Sequence, residues 1–276
     1  MYFEGASYLE FERLKSHLPD ARFVDATDMI WEQREIKTPW EIETMRKLGD
    51  ITAKGFKAAL EFTREGVTER EIHRVAMETF VKEGAHDTPM SGSLMIRAGE
   101  RRNVPCARPT DYRLKRGDQM MMDGGPSYKG YHADIQRQAV MGEPSEKVRK
   151  HAGQGAAGFE AAMKILKPGT KISDLYDVPI KAMEEFNPEA INPYSHMGHG
   201  IGLRMHEPPW LTSDAEGVLK PGMIITVETA GYDLVGSWEK GWTIRTIGLY
   251  PEDLFLITEA GFENLTEKCP WNLWIK

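Results

Sequence analysis

The second half of this chain repeats the pattern of the first half, and this repeat limits the possible folds more than any other feature of the 276-residue sequence. Residues 57–75 match residues 160–178 at an offset of 103 (160 − 57), with alanine, glycine and apolar residues in equivalent places. Residues 114–123 match residues 219–228 at an offset of 105 (219 − 114). Both of these segments lead from a Leu-Lys-x-Gly turn into an apolar strand that ends in a carboxylate.

A repeated unit of about 100 residues is too long for a solenoid, whose units contain roughly 20–50 residues. It predicts two helix-helix-strand-strand halves related by a pseudo-twofold axis, with helices on one face of a curved, mainly antiparallel sheet, which is an α+β fold. The repeat places Asp123 and Glu228 at equivalent strand ends. Their carboxylates are therefore expected to meet near the axis.

Capping signals delimit the helices of the first half. Thr38-Pro39-Trp40-Glu41 combines an N-cap threonine, a proline at the first helical position and a capping-box glutamate, and apolar spacing continues this helix to about Phe62. A second capping box, Thr68-Glu69-Arg70-Glu71, opens a helix that stops at Gly84. We also expect helices at about 7–16 and 29–34, and strands at 21–25, 93–97, 119–123 and 130–141.

The charge and cysteine content exclude several classes of protein. A net charge of −7 argues against a nucleic-acid backbone or an anionic membrane as the main partner. No apolar run reaches the roughly 18–20 residues that a membrane span needs. Two cysteines cannot form a disulfide framework, so a reducing cytoplasm is the expected compartment.

Three of the eight histidines lie within eleven residues, in the glycine-rich stretch 195–209. They are His196, His199 and His206. Imidazole is the commonest metal ligand, and glycine allows a ligand to approach the backbone closely. A polar loop with incidental histidines explains this stretch equally well when it is considered alone.

Carboxylates elsewhere in the chain favour a metal site. Asp123 ends an apolar strand, Asp134 follows eleven residues later beyond a predicted hairpin, and Glu252 precedes the apolar run 254–257. A buried, unpaired carboxylate is unfavourable by several kcal/mol, so each acid needs a partner. For any one acid that partner is either a cation such as Arg137 or a turn amide, and the alternative is a metal shared by several acids.

In order along the chain, these motifs resemble those of the pita-bread metallopeptidases, which include methionine aminopeptidase, aminopeptidase P and prolidase, with creatinase as a relative. The resemblance rests on the Asp123 to Asp134 spacing, Gly198-His199-Gly200-Ile201-Gly202, His206-Glu207, Val227-Glu228 and the segment 252–261, and it runs from about Thr38 to Thr266. It implies the pita-bread fold, with a catalytic domain at 38–276. Residues 1–37 are expected to be the remnant or tail of an N-terminal domain.

The resemblance also implies a ligand set for two divalent metals. Asp123 would bind one metal through both oxygens, Asp134 and Glu252 would bridge the metals, and His199 and Glu228 would complete the set. Carboxylates with one imidazole suit Mn²⁺ or Co²⁺ best in this family, with Fe²⁺ and Zn²⁺ as further options.

The implied reaction is hydrolysis by a hydroxide that bridges the two metals. Glu228 would shuttle the proton to the leaving amine, and His206 would bind the substrate and the tetrahedral intermediate. His196, Cys106 and Arg245 are further candidates for the substrate pocket. The expected partner is a small peptide or a small amide-like substrate, and the expected assembly is a homodimer.

Four positions depart from the family pattern. Cys106 stands where prolidase-like relatives have a histidine, twelve residues before Gly117-Asp118 (118 − 12). Thr229 replaces the proline after the fourth predicted ligand, and Tyr250 replaces an arginine two residues before the last, with Arg245 as the nearest substitute. Gln136 replaces a threonine.

Three functions remain open at this level. The first is an aminopeptidase P- or prolidase-like hydrolase that cleaves Xaa-Pro bonds. The second is an enzyme with the same fold and metal site but a non-peptide substrate, either a creatinase-like C–N hydrolase or a lyase. The third is a metal-free binding module, which the complete predicted ligand set disfavours.

Overall fold

The computed structural model describes residues 7–86, 94–104, 107–188, 196–230, 232–237, 241–246 and 249–276. The chain divides into two compact units, Met1–Arg34 and Glu35–Lys276. In the first unit, helix α1 (Tyr8–His17) begins at a capping box formed by Ser7 and Glu10. Helix α2 (Thr27–Glu35) follows and ends at the first residue of the second unit. The strand predicted at 21–25 is wrong, since these residues are irregular and mostly exposed.

Four helices belong to the second unit: α3 (Pro39–Phe62), α4 (Glu69–Lys82), α5 (Glu146–Ile165) and α6 (Asp174–Phe186). Both predicted capping boxes are confirmed, because the side chains of Thr38 and Thr68 accept from the backbone N–H groups of Glu41 and Glu71. Helix α3 packs against α4, and α5 packs against α6. No helix in the described ranges combines the length and the apolar character that crossing a bilayer requires.

The strands, in chain order, are β1 (Met95–Ala98), β2 (Gln119–Gly124), β3 (Ser127–Tyr128), β4 (Tyr131–His132), β5 (Ile135–Val140), β6 (His199–Gly200), β7 (Glu207–Trp210), β8 (Ile224–Glu228), β9 (Tyr232–Ser237), β10 (Gly241–Thr246), β11 (Glu252–Thr258), β12 (Gly261–Asn264) and β13 (Trp274–Ile275). The predicted strand at 130–141 is divided into β4 and β5. Ser93, the first residue of the strand predicted at 93–97, lies outside the described residues.

The main sheet has the order β1-β2-β5-β11-β8-β6-β7, with β12 beside β11 and β13 beside β5. Every pair along the main path is antiparallel. Outward from the contact between β5 and β11, β2 on one side corresponds to β8 on the other, and β1 corresponds to β6. The two-fold repeat that the sequence predicts is therefore the symmetry of the sheet, and the α+β class is confirmed.

Two large hydrophobic clusters pack between the helices and the sheet. Phe56 and Phe80 bring α3 and α4 against the first half of the sheet, and Phe159 of α5 packs beside Phe255 of β11 in the second half. All four rings are fully buried. The cluster of α3 and α4 also contains Ile224 of β8 and Leu254 of β11, so it extends across the junction between the halves.

A buried arginine joins the halves. Arg137 of β5 donates through Nη1 to the carbonyl oxygen of Glu252 at 2.6 Å, through Nε to that of Cys269 at 2.9 Å, and through Nη2 to the Asp253 carboxylate. A guanidinium has five N–H groups, and further bonds to the carbonyls of Gln136 and Cys269 complete the set. Arg137 is therefore engaged away from Asp123 and Asp134, and it is not the partner of either acid.

Candidate metal centre

A row of polar residues crosses the middle of the otherwise apolar sheet. Asp123 of β2 lies opposite Gln136 of β5, Gln136 lies opposite Glu252 of β11, and Glu252 lies opposite Glu228 of β8. Directly paired residues on neighbouring strands point to the same face of a sheet. Three carboxylates and one amide thus share one face, next to the pseudo-twofold axis.

Two further predicted ligands reach this row from the ends of strands. Asp134 directly precedes β5, and His199 begins β6. The structure brings together ligand atoms within 4.8 Å of one another in three overlapping groups: Asp123, Asp134 and Glu252; His199, Glu228 and Glu252; and Asp134, His199 and His206. All five residues predicted as ligands therefore converge, and His206 lies beside them.

The imidazole of His199 has its lone pair directed at the acids. Its Nδ1 lies 2.9 Å from the carbonyl oxygen of Gly200, which fixes the proton on Nδ1. Its Nε2 lies 4.0 Å from oxygens of Asp134 and Glu252. Burial lowers the pKa of His199 to about 4, so the ring is neutral at pH 7 and Nε2 is free to bind a metal.

The acids repel one another in a dry site. Burial first, and then the charges of Asp123 and Glu228, raise the pKa of Asp134 well above its ordinary value. Burial and then Asp134 do the same to the pKa of Glu252. The buried Oδ1 of Asp134 has no hydrogen-bond partner in the described part of the chain. A crowded set of carboxylates with an orphaned oxygen and a neutral imidazole fits divalent cations.

Asp123 differs from the other acids because an arginine is already bound to it. Nη2 of Arg97, on β1, lies 2.8 Å from Oδ2 of Asp123 and 2.9 Å from the sulfur of Met121. Gln136 also donates to the Asp123 carboxylate. Sequence reasoning missed Arg97, although a cation within the apolar strand β1 was a visible signal.

Glu228 is held from both sides. The Tyr250 hydroxyl donates to its Oε2 at 2.5 Å, and Nε2 of His196 lies 3.4 Å from its Oε1. Burial raises the pKa of Glu228, but His196, His199 and Tyr250 together lower it, and the net shift is downward. Sequence reasoning treated Tyr250 only as a lost arginine and did not predict this contact.

The mouth of the cluster is aromatic. His206 is half exposed, and its Nε2 lies 3.7 Å from Oδ2 of Asp134. Its ring stacks on that of Trp210, with an interplanar angle of 11° and 6.3 Å between centroids. Trp210 also contacts His196 and His199. Its role was not predicted, because a tryptophan after Pro-Pro carries no pattern that marks a binding wall.

The other departures from the family pattern have separate outcomes. The hydroxyl of Thr229 donates to the backbone oxygen of Gly155 in α5 at 2.8 Å, so this residue ties the end of β8 to a helix. Cys106 lies outside the described residues. Arg245 lies on β10 opposite Asp233, and its side chain is outside the described part.

Comparison with known proteins identifies the family of this chain. The sequence model of metallopeptidase family M24 matches residues 43–259. The Xaa-Pro dipeptidase of Pyrococcus furiosus is 33% identical over 261 residues, which cover 95% of this chain and 71% of that protein.

Solved structures match over almost the whole chain. The X-Pro aminopeptidase from Thermotoga maritima has a TM-score of 0.79 at 29% identity, covering 98% of this chain and 73% of its own. A Xaa-Pro dipeptidase from Bacillus anthracis has a TM-score of 0.82 at 27% identity, covering 99% and 72%. The resemblance to the pita-bread metallopeptidases is confirmed, and the chain belongs to metallopeptidase family M24.

Proposed function

We propose that this protein is a dinuclear-metal peptidase that cleaves Xaa-Pro bonds in small peptides. The observation that supports this best is the convergence of four carboxylates and one neutral imidazole within a buried cluster, in a chain related to enzymes named Xaa-Pro dipeptidases. The metals would be held by Asp123, Asp134, His199, Glu228 and Glu252. Asp134, His199 and Glu252 each belong to two of the ligand groups, so the groups form one continuous cluster.

Two bound divalent cations supply a more acidic water and polarise the substrate carbonyl. The protein's own residues handle the protons. Tyr250 and His196 hold Glu228 by its two oxygens and favour its ionised form, so it is ready to accept a proton from water and deliver it to the leaving nitrogen. His206, at the exposed edge, is placed to donate to the oxygen of the reacting carbonyl.

The aromatic mouth supports a preference for proline. The stacked rings of His206 and Trp210 form a flat wall beside the predicted ligands, with about half of each residue exposed. A pyrrolidine ring is apolar, compact and unable to donate a hydrogen bond from its amide nitrogen, so it suits a flat apolar wall better than a polar pocket.

A second candidate is a non-peptide substrate at the same centre, for a C–N hydrolase or a lyase. Tyr250 favours it, because this residue binds Glu228 at a position where the family pattern has an arginine. Gln136 and Thr229 add two further departures near the same row. The predicted ligands themselves are unchanged between the two candidates, so only the substrate decides.

The test is hydrolysis of Xaa-Pro dipeptides and Xaa-Pro-Xaa tripeptides by the full-length protein, with Mn²⁺ or Co²⁺ added. We expect cleavage of at least one class, and Glu228→Gln is expected to abolish it while metal remains bound to the other ligands. Metal-loaded protein that cleaves neither class would overturn the peptidase proposal and favour the non-peptide candidate.

Three further properties belong to this proposal. Mn²⁺ or Co²⁺ follows from the carboxylate-rich ligand set, and elemental analysis of protein purified without added metal tests it. A homodimer follows from the family resemblance, and light scattering tests it. A cytoplasmic location follows from the two cysteines, and Cys269 is a free, buried thiol.

A further inference from the structure

Two charged side chains, Lys37 and Glu207, are buried beside the turn that carries His206. Lys37 is 5% exposed and Glu207 is 1% exposed. A Cβ atom placed at Gly202 would lie 3.1 and 3.4 Å from the carboxylate oxygens of Glu207 and 3.4 Å from Cε of Lys37. Both side chains therefore reach the same point, and the ammonium group of Lys37 lies next to the carboxylate. Opposite charges buried together depend on each other, because removing one leaves the other unpaired and away from water.

The backbone of Lys37 is fixed from outside this turn. Its N–H donates to the carbonyl oxygen of Gly222 at 2.9 Å, and the preceding Ile36 forms an antiparallel bridge with Met223. Gly222 and Met223 directly precede β8. Nζ of Lys37 also lies 3.4 Å from the carbonyl oxygen of Glu35. The lysine side chain therefore extends from a fixed backbone.

The carboxylate of Glu207 closes the turn in which His206 stands. Its Oε1 accepts from the N–H of Arg204 at 2.7 Å, and the backbone of Glu207 pairs with Gly200 across β6 and β7. The carbonyl oxygen of Gly200 is the one that Nδ1 of His199 contacts. The side chain of His206 is 53% exposed, so burial does not hold its ring. The place of this ring therefore depends on the turn, and the turn depends on Glu207.

We propose that Lys37 is a positioning residue: its buried ammonium group fixes Glu207, and Glu207 sets the place of His206 beside the substrate carbonyl. This inference rests on the proposed peptidase function. The reason is geometric, because a donor stabilises a developing charge only at hydrogen-bond distance. A displacement of about 1 Å can lower a rate about 100-fold.

Steady-state kinetics of Lys37→Met on a cleaved Xaa-Pro substrate test the proposal, because methionine keeps an apolar stem and removes the charge. We expect kcat to fall about tenfold and KM to change less than about twofold, since the lost interaction is one that His206 makes in the transition state. The matched control is Lys220→Met, which removes an exposed lysine whose Nζ lies 3.6 Å from the carboxylate of Glu35. This control should keep the wild-type kcat and KM. Wild-type kcat in a folded Lys37→Met variant would overturn the proposal.

A double-mutant cycle with His206→Ala separates positioning from a general loss of structure. If Lys37 acts through His206, Lys37→Met should change the kcat of the His206→Ala variant by less than about twofold. The same fall in kcat with and without the His206 imidazole would show that Lys37 does not act through this ring, and it would overturn the proposal.

A second variant keeps the test decisive if Lys37→Met does not fold because the Glu207 charge is left unpaired. Lys37→Met combined with Glu207→Gln removes both buried charges. The amide oxygen can still accept from Arg204, but no cation fixes it, so kcat should again fall about tenfold. A melting curve shows which variants are folded. Wild-type kcat in the folded double variant would overturn the proposal.

The position of His206 can also be measured without a substrate. Its ring stacks on that of Trp210, so the ring current of the tryptophan shifts its proton resonances. We expect Lys37→Met, but not Lys220→Met, to move the His206 ring resonances in NMR spectra of metal-free protein. Unchanged resonances in a folded Lys37→Met variant would overturn the inference whatever the substrate is. Moved resonances in a protein that cleaves no Xaa-Pro peptide when loaded with metal would leave the role of Lys37 standing and overturn the substrate alone.

Discussion

At the scale of single residues, the centre combines parts that the sequence predicts with parts that it does not. The acids could be predicted because each lies at the end or the start of an apolar strand, because the repeat pairs Asp123 with Glu228, and because their order resembles that of a known family. The contacts of Tyr250 and Arg97 could not be predicted, because each joins side chains that are distant in sequence and meet only in the folded sheet. The family pattern marks Tyr250 only as a substitution, whereas the structure gives its hydroxyl to Glu228.

Removing that hydroxyl tests its role as a positioning group. We expect Tyr250→Phe to lower kcat about tenfold or more with little change in KM, because Glu228 loses one of the bonds that orient its carboxylate while the substrate contacts remain. Steady-state kinetics on a cleaved Xaa-Pro substrate measure this split. Tyr112→Phe is the matched control, since it removes a hydroxyl bonded to Asp118, away from the centre, and it should leave kcat unchanged. A purely structural role for Tyr250 would appear as lower stability with unchanged kcat.

At the scale of helices and strands, the boundaries that capping boxes mark were predictable, and the boundaries set by tertiary contacts were not. Helix α3 ends at Phe62, as its apolar spacing predicts. The strand expected at 21–25 fails, because a short apolar run forms a strand only when another strand pairs with it. The expected strand at 130–141 breaks at Ala133 and Asp134, where the chain turns Asp134 toward the other acids.

The contact between α5 and the end of β8 shows how a helix positions the centre. A Cβ atom added at Gly155 would lie 2.4 Å from the carbonyl oxygen of Leu249 and 3.4 Å from that of Thr229. These two residues adjoin Tyr250 and Glu228. Only glycine allows α5 to approach this closely.

We expect Gly155→Ala to destabilise the protein by about 1–3 kcal/mol through overpacking, despite the higher helix propensity of alanine. Urea denaturation measures the free energy of unfolding. Glu160→Ala, at an exposed position of the same helix, is the control and should change that free energy by less than about 0.5 kcal/mol. Equal stability of the two variants would show that α5 can shift without strain.

At the scale of the whole molecule, two halves of one sheet meet at β5 and β11. The repeat predicts the two halves. It does not predict the contact that joins them, because no sequence motif marks Arg137 and Asp253 as partners. The Asp253 carboxylate also accepts from the hydroxyl of Thr266 at 2.6 Å and from the amide of Asn264 at 3.1 Å. This network connects β5, β11 and the segment that leads toward the C-terminus.

Breaking this network should destabilise the whole second unit, Glu35–Lys276. We expect Arg137→Met to lower the free energy of unfolding by about 3–5 kcal/mol, because it leaves the buried Asp253 charge and several carbonyl oxygens without a donor. Guanidinium denaturation measures the loss. The double variant Arg137→Met with Asp253→Asn should recover part of the lost stability. The control is Arg74→Met, which removes an exposed arginine paired with Glu78 on α4. An Arg137→Met variant as stable as this control would contradict the role assigned to the network.

Metal removal should also act on the whole molecule. We expect chelator-treated protein to melt about 5–10 °C below the metal-loaded form, since bound metal stabilises the folded state and its absence restores repulsion among the acids. Differential scanning calorimetry before and after Mn²⁺ is restored measures the shift. In Glu252→Gln, most of this metal-dependent shift in melting temperature should be lost. An unchanged melting temperature of the wild type on chelation would argue against a metal centre in this cluster.

The register between β5 and β11 consists of one residue pair, Gln136 with Glu252, in the described part of the chain. The centre therefore lies where a short strand pairing joins the two halves, and its acids come from both sides of that joint. If the two halves descend from a duplicated ancestral segment, the predicted ligands would bind metal between the duplicate and its original. A descendant that lost its metal would depend on Arg137 and its partners to hold this junction, so loss of catalysis would increase selection on that network.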